Sequence, residues 1–219
     1  MSSEHVKDIR MDPSDFILLA DGVPEIVQEI RYYSTYNFIG DRINGYEEPC
    51  AILTKEAARA LKTVAGELSV QGYRLKVFDA YRPVCAVRHF ELWGIEDTDI
   101  RMKPYFYPNL EKQELFTKGF IARRSSHSRG STVDLTFLDM KTGKEVDMGG
   151  PFDFFSEVSH SDYRGITDEQ YENRMILRHA MLRGGFLPLA SEWWHFTLAN
   201  EPYPDTYFEF PVSSAYLHR

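Results

Sequence analysis

From Thr54 onward, Ala57, Ala58, Leu61, Val64, Ala65 and Leu68 recur at the spacing of one helical face, and Gly72 follows as a stop. The period then changes. Tyr73, Leu75 and Val77 alternate with Arg74 and Lys76, which predicts a half-buried strand over 73–79 that ends at Asp79-Ala80-Tyr81-Arg82-Pro83. Pro83 lacks an N–H that would go unpaired at a helix start, so a second helix over 84–93 is expected, with Arg82 at the junction. Thr167 with Gln170 reads as a capping box opening a third helix, of structural role, through Tyr171, Met175, Ala180 and Leu182 to Gly184-Gly185. Two more strands alternate cleanly. Over 133–138, Val133, Leu135 and Phe137 face one way and Asp134 and Thr136 the other; over 193–198, Trp194, Phe196 and Leu198 oppose Trp193, His195 and Thr197. Asp134 and His195 can then project from neighbouring strands into one cleft. His160-Ser161-Asp162 has no matching partner and reads as a surface loop.

Hairpin-like strands and separate helices without a β-α-β rhythm predict an α+β fold with a mainly antiparallel central sheet and flanking helices. No repeat or linker divides the chain, so one domain over residues 1–219 is expected, with 1–24 as an N-terminal extension. A chain of 219 residues buries roughly 70% of its unfolded surface, so a metal is not needed merely to fold. The 25 basic residues against 33 acidic ones give a net charge of −8, which argues against nucleic acid as a partner. Cys50 and Cys85 form no CxxC pair and read as two buried thiols, although sequence alone leaves a disulfide between them open. The start, MSSEHVKDIRMDPSD, has no apolar core of the length a secretory signal needs, and no stretch reaches the roughly 20 apolar residues of a membrane span. The expectation is a cytoplasmic protein with no membrane partner. No heptad seam specifies an oligomeric state.

The chemistry concentrates in two places. Ser125-Ser126-His127-Ser128-Arg129-Gly130-Ser131-Thr132-Val133-Asp134 sets a His in a polar, Gly-containing loop and an Asp at the start of the next strand. Far downstream, Glu192-Trp193-Trp194-His195 supplies a second His with a carboxylate three residues before it. A zinc catalyst takes three protein ligands and leaves one position for water, which His127, Asp134 and His195 satisfy. Glu192 is then a candidate base, taking a proton from that water and delivering it to a leaving amine. In a strand rather than a helix, Glu192 and His195 need a turn or bulge near Ser191 and Glu192 to reach one metal. Taken singly, each piece has a plainer reading: a loop hydrogen bond for the His and Asp, a carbonyl-capping or ion-paired Arg82, and core roles for Trp193 and Trp194.

Together, SSHSRGSTVD and EWWHF resemble the paired signature of the D-alanyl-D-alanine dipeptidases of the VanX type, whose wider family of peptidoglycan metallopeptidases shares SxHxxGxAxD and ExxH motifs. RYYSTYNFIG, QGYRLKVFDAYRP, MGGPFDF and EPYPDTYFEFPV extend the likeness over most of the chain from about residue 25. The resemblance implies one Zn2+ per subunit on His127, Asp134 and His195, Glu192 as general base and acid, and Arg82 stabilising the tetrahedral intermediate. It also implies Ser125, Asp153 and Tyr32 as binders of the charged ends of a small dipeptide, with hydrolysis of D-alanyl-D-alanine to two D-alanines as the activity. A D,D-carboxypeptidase or L,D-peptidase acting on muropeptides shares the metal motifs, and a non-catalytic zinc-binding module is a third reading. The chain departs from the motif at Thr132, where the family has Ala.

Overall fold

A computed structural model describes residues 9–96 and 98–217. Its centre is a five-stranded sheet of β1 (Val27–Gln28), β2 (Tyr73–Asp79), β3 (Thr132–Asp139), β4 (Phe186–Leu189) and β5 (Glu192–Leu198), in the order β1-β2-β3-β5-β4. Only the β1–β2 pair is parallel. With α1 (Lys55–Val70), α2 (Val84–Ile95) and α3 (Asp168–Arg183), this is the expected α+β fold with a mainly antiparallel sheet.

The local signals act as the sequence suggests. Thr54 caps α1 by accepting from the Ala57 N–H, and Ala57, Ala58, Leu61, Val64, Ala65 and Leu68 are all buried. Gly72, at φ +87°, reverses the chain into β2. Pro83 stands at the N-terminal boundary of α2, and Thr167 and Gln170 close a reciprocal capping box on α3. Helices α1 and α3 pack on the sheet and on each other. Leu75 lies opposite Phe137 and Val77 opposite Leu135, forming a fully buried apolar face.

Residues near the start also join the main hydrophobic cluster: Phe16, Leu18, Leu19 and Val23 are buried there. Residues 1–8 of the expected extension lie outside the described residues. Cys50 and Cys85 are unpaired thiols. No helix among the described residues is long and apolar enough to cross a membrane.

His160-Ser161-Asp162 is a turn with Asp162 exposed, as a surface loop requires, but its middle residue departs from that expectation. Ser161 is buried, its N–H donates to the Ala190 carbonyl and its hydroxyl to the Leu189 carbonyl, so the stretch underlies the β4–β5 turn. The chain leading into Ser161 is anchored by Arg174 on α3. Its Nε donates to the Met148 carbonyl, Nη1 to that of His160 and Nη2 to that of Val158, at 2.6, 2.9 and 2.9 Å. One guanidinium thus ties down both ends of the segment over 148–160. Burial pulls its pKa down to about 10, with the nearby Asp147 charge opposing the shift. Arg174→Met leaves three buried carbonyls without their donor and is expected to lower stability by about 3 kcal/mol, measurable as a reduced urea midpoint at unchanged slope.

Candidate metal centre

Strand register builds the site. Asp134 on β3 lies directly opposite His195 on β5 and, on its other side, opposite Asp79 on β2, so three adjacent strands present one polar row. Asp79 joins the row because the β2–β3 register shifts between Val77 and Asp79. A second irregularity lies in β5, where Pro188 pairs with Phe196 but Leu189 with Glu192. This is the bulge that Glu192 and His195 require, and it leaves Glu192 Oε2 3.5 Å from His195 Nδ1. Thr132, the departure from the motif, shares a hydrogen bond of 2.9 Å with the Thr197 hydroxyl across the same strand pair, so its extra oxygen is satisfied.

His127 reaches the row from a 3-10 turn over Ser126–Arg129 that leads into β3. The Ser125 hydroxyl accepts from the His127 N–H at 3.3 Å, capping the turn, and Gly130 ends it at φ +82°. A Cβ at Gly130 would stand 2.1 Å from the Phe16 ring, so the turn can sit this low only over glycine.

The donor atoms converge: ligand atoms of His127, Asp134 and His195 lie within 4.8 Å of one another. His127 Nδ1 is 2.7 Å from the Ala80 carbonyl, which fixes its proton there and turns a bare Nε2 towards Asp134 Oδ2 at 3.2 Å. Burial holds the His127 pKa below its ordinary value, keeping the ring neutral. Two electron-pair donors facing each other at that distance repel unless a cation lies between them. Neither His127 Nε2 nor Asp134 Oδ1 has a hydrogen-bond partner, although both are fully buried. On the other side Asp134 Oδ1 is 3.1 Å from His195 Nδ1, while His195 Nε2 is 3.3 Å from the Ser126 hydroxyl. Burial lowers the His195 pKa, but the adjoining Asp134 carboxylate, with the charge of Glu192 adding to it, outweighs this and raises it. Two imidazoles and one carboxylate with orphaned, inward-facing donors suit a divalent metal.

Arg82 closes the centre from the β2–α2 junction. Its Nε and Nη2 hold Asp79 Oδ2 at 2.9 and 2.8 Å, Nη2 is 3.6 Å from Asp134 Oδ2, and the guanidinium lies over the Tyr32 and Phe90 rings. Tyr46 donates to Asp79 Oδ1 at 2.6 Å, completing a buried brace behind Arg82. The sequence reading missed Asp79 and Tyr46, since nothing in the alternation over 73–79 announces the bulge that turns Asp79 inward. Tyr32 donates to Asp153 Oδ2 at 2.9 Å. Asp153 alone among the described non-glycine residues has a positive φ, of 60°, and burial raises its pKa well above the carboxylate range. Tyr32, Arg82, Ser125, His127, Asp134, Asp153, Glu192 and His195 line one cavity of about 310 Å³, with Phe120, Ile121 and Phe155 at its apolar wall, while Asp79 and Tyr46 stand behind it.

With this geometry in view, comparison with known proteins is decisive. A family model described as D-ala-D-ala dipeptidase, of the peptidase M15 type, matches residues 12–213. The chain belongs to the D-ala-D-ala dipeptidase family. A protein of Enterococcus faecalis named D-alanyl-D-alanine dipeptidase is 43% identical over 198 residues, covering 90% of this chain and 98% of that one. One of Streptomyces coelicolor with the same name is 41% identical over 195 residues (87% and 96%), and one of Escherichia coli 32% over 187 (85% and 86%). The D-ala-D-ala dipeptidase family is a family of metallopeptidases, which accords with the His/Asp/His cluster.

Burial sets the Glu192 pKa up at about 7 from an ordinary 4.5, with Asp134 adding to the rise and His195 and Arg82 opposing it. A raised acid pKa means that the folded state prefers the protonated form. Its stabilisation is complete below pH 4.5 and is lost as pH rises through about 7. In metal-stripped protein, Glu192→Gln is therefore expected to match the wild type below pH 4.5 and to exceed its stability at pH 8 by about 3 kcal/mol, read from urea unfolding at both pH values.

Proposed function

We propose that this protein is a zinc-dependent dipeptidase that hydrolyses D-alanyl-D-alanine to two D-alanines. The observation that carries the reading is Glu192: a protonatable carboxylate beside a three-ligand cluster, in a cavity that also holds a cation and a second buried acid. A structural metal site needs neither base nor oxyanion partner. The relatives' shared name supplies the substrate.

His127, Asp134 and His195 would hold one zinc ion per subunit. When bound, zinc supplies a Lewis acid that polarises a carbonyl and lowers the pKa of water towards roughly 7. Glu192 accepts the proton of the attacking water and returns it to the leaving amine, a task suited to a carboxyl whose pKa lies near neutrality. Arg82, held rigid by Asp79, steadies the negative charge that develops on the carbonyl oxygen. Asp153, oriented by Tyr32, receives the substrate ammonium, and the Ser125 hydroxyl, free to donate because it accepts from the His127 N–H, serves the carboxylate. An acid and donors lining one cavity of about 310 Å³ suit a molecule as short as a dipeptide.

The test is D-alanine release from D-alanyl-D-alanine beside release from a muropeptide stem ending in the same pair. Rapid turnover of the free dipeptide, little of the stem, loss on chelation and recovery with zinc are expected. Glu192→Gln should lower kcat by at least roughly 100-fold with metal content unchanged, and Arg82→Ala by a similar factor. Preference for the stem would convert the reading to a carboxypeptidase, and a Glu192→Gln variant with full activity would remove Glu192 from the chemistry.

A further inference from the structure

Three arginines line the cavity: Arg82, Arg124 and Arg129. Two are neutralised. Arg82 is held by Asp79 and Asp134, and Arg129 grips Glu201 with its Nε 3.0 and 2.9 Å from the two carboxylate oxygens. Arg124 differs. Its guanidinium rests on the Tyr207 ring, 4.7 Å from the centroid, and no carboxylate of the described residues pairs with it. It is solvent-exposed, whereas Asp153 is buried, so the cavity carries an acid at depth and a charge-free-to-pair cation at its rim. Stacking on Tyr207 limits where the guanidinium can go without using its N–H donors.

A zwitterionic dipeptide needs both. If its ammonium goes to Asp153, its carboxylate requires a cation that is not already committed, and a guanidinium offers two parallel N–H groups matched to a carboxylate. We infer that Arg124 is a substrate-binding residue that pairs with the free C-terminal carboxylate of the dipeptide, and so restricts the enzyme to substrates ending at that residue. This inference rests on the dipeptidase reading and adds to it the group that recognises the substrate's C-terminus. A guanidinium stays protonated and takes no part in the proton transfers, so the loss of Arg124 should act on binding.

The experiment compares D-alanyl-D-alanine with its C-terminal amide, D-alanyl-D-alaninamide, on the zinc-loaded wild type and the Arg124→Ala, Arg124→Glu and Arg124→Lys variants. Wild-type kcat/KM should favour the acid over the amide by roughly 10- to 100-fold, the range of a charge-assisted hydrogen bond. Arg124→Ala should raise KM for the acid by that factor, leave kcat nearly unchanged and leave the amide unaffected, erasing the preference. Arg124→Glu should reverse the preference and Arg124→Lys should keep most of it. The inference is overturned if Arg124→Ala retains the acid preference, or if it impairs acid and amide equally, which would mark a structural role. Wild-type turnover keeps the two readings apart: a wild type inactive on the acid defeats the dipeptidase assignment itself, whereas an active wild type with an indifferent Arg124→Ala defeats only this inference.

Discussion

The site depends on keeping the charge of Asp134 inside the protein. Its carboxylate is 2% exposed, in the middle strand of the polar row, and burial alone would protonate it. The neighbouring imidazoles His127 and His195 reverse that tendency and hold its pKa below the ordinary value. Much of the surrounding structure serves this balance. The bulge in β2 brings Asp79 alongside, a second acid that would be intolerable so close without Arg82 between them. Arg82 can be buried only because Asp79 takes its fork, and Asp79 only because Tyr46 donates to its other oxygen. The result is a centre in which each charge is answered, except for inward donor pairs that a divalent cation would satisfy.

The amino-acid pattern disclosed the scaffold of this centre better than its wiring. Helix α1 was legible from six apolar positions, a Thr cap and a Gly stop, all local signals. The faces of β3 were legible from strict alternation, and a cross-strand Asp134–His195 pair followed from them. Three things were not legible. The bulge at Phe78 changes which residue faces the site by one position, and no turn residue marks it. The stretch leading into Ser161 is anchored by Arg174, far along the chain, and a polar tripeptide without partners reads as surface until those partners are known. The packing of Phe16 beneath Gly130 joins residues separated by more than half the chain, a contact that no periodicity encodes. The spacing to His195 makes Glu192 a candidate base, but its elevated pKa arises from desolvation, a property of the folded cavity.

The proposed chemistry and the proposed recognition draw on different parts of the fold. Asp134, His195 and Glu192 stand on sheet strands, whose hydrogen-bonded register fixes them without further help. Asp153 and Tyr32 stand on irregular segments, which a backbone ladder cannot hold. Each segment instead wraps a buried polar side chain. Asn37, 1% exposed, donates to the Ser34 and Asp41 carbonyls and accepts from the Ile39 and Gly40 N–H groups, closing the loop that follows Tyr32. Arg174 does the same for the segment that carries Asp153. These internal pegs replace the ladder, and they make it possible to keep Asp153 in a left-handed conformation that would otherwise relax.

This division has a consequence for how such a site can change. Altering a strand residue in the polar row shifts a charge balance shared by several groups, so its effects spread to metal affinity, proton transfer and folding together. Altering a loop residue outside the pegs changes what the cavity accepts while the row stays intact. Arg124, exposed at the rim, touching Tyr207 and committed to no carboxylate, belongs to the second kind. Substrate range can therefore diverge at the rim of this fold without disturbing the buried charges beneath it, because the Coulombic coupling of an exposed group to the row is screened by water, whereas the groups within the row couple through a dry interior.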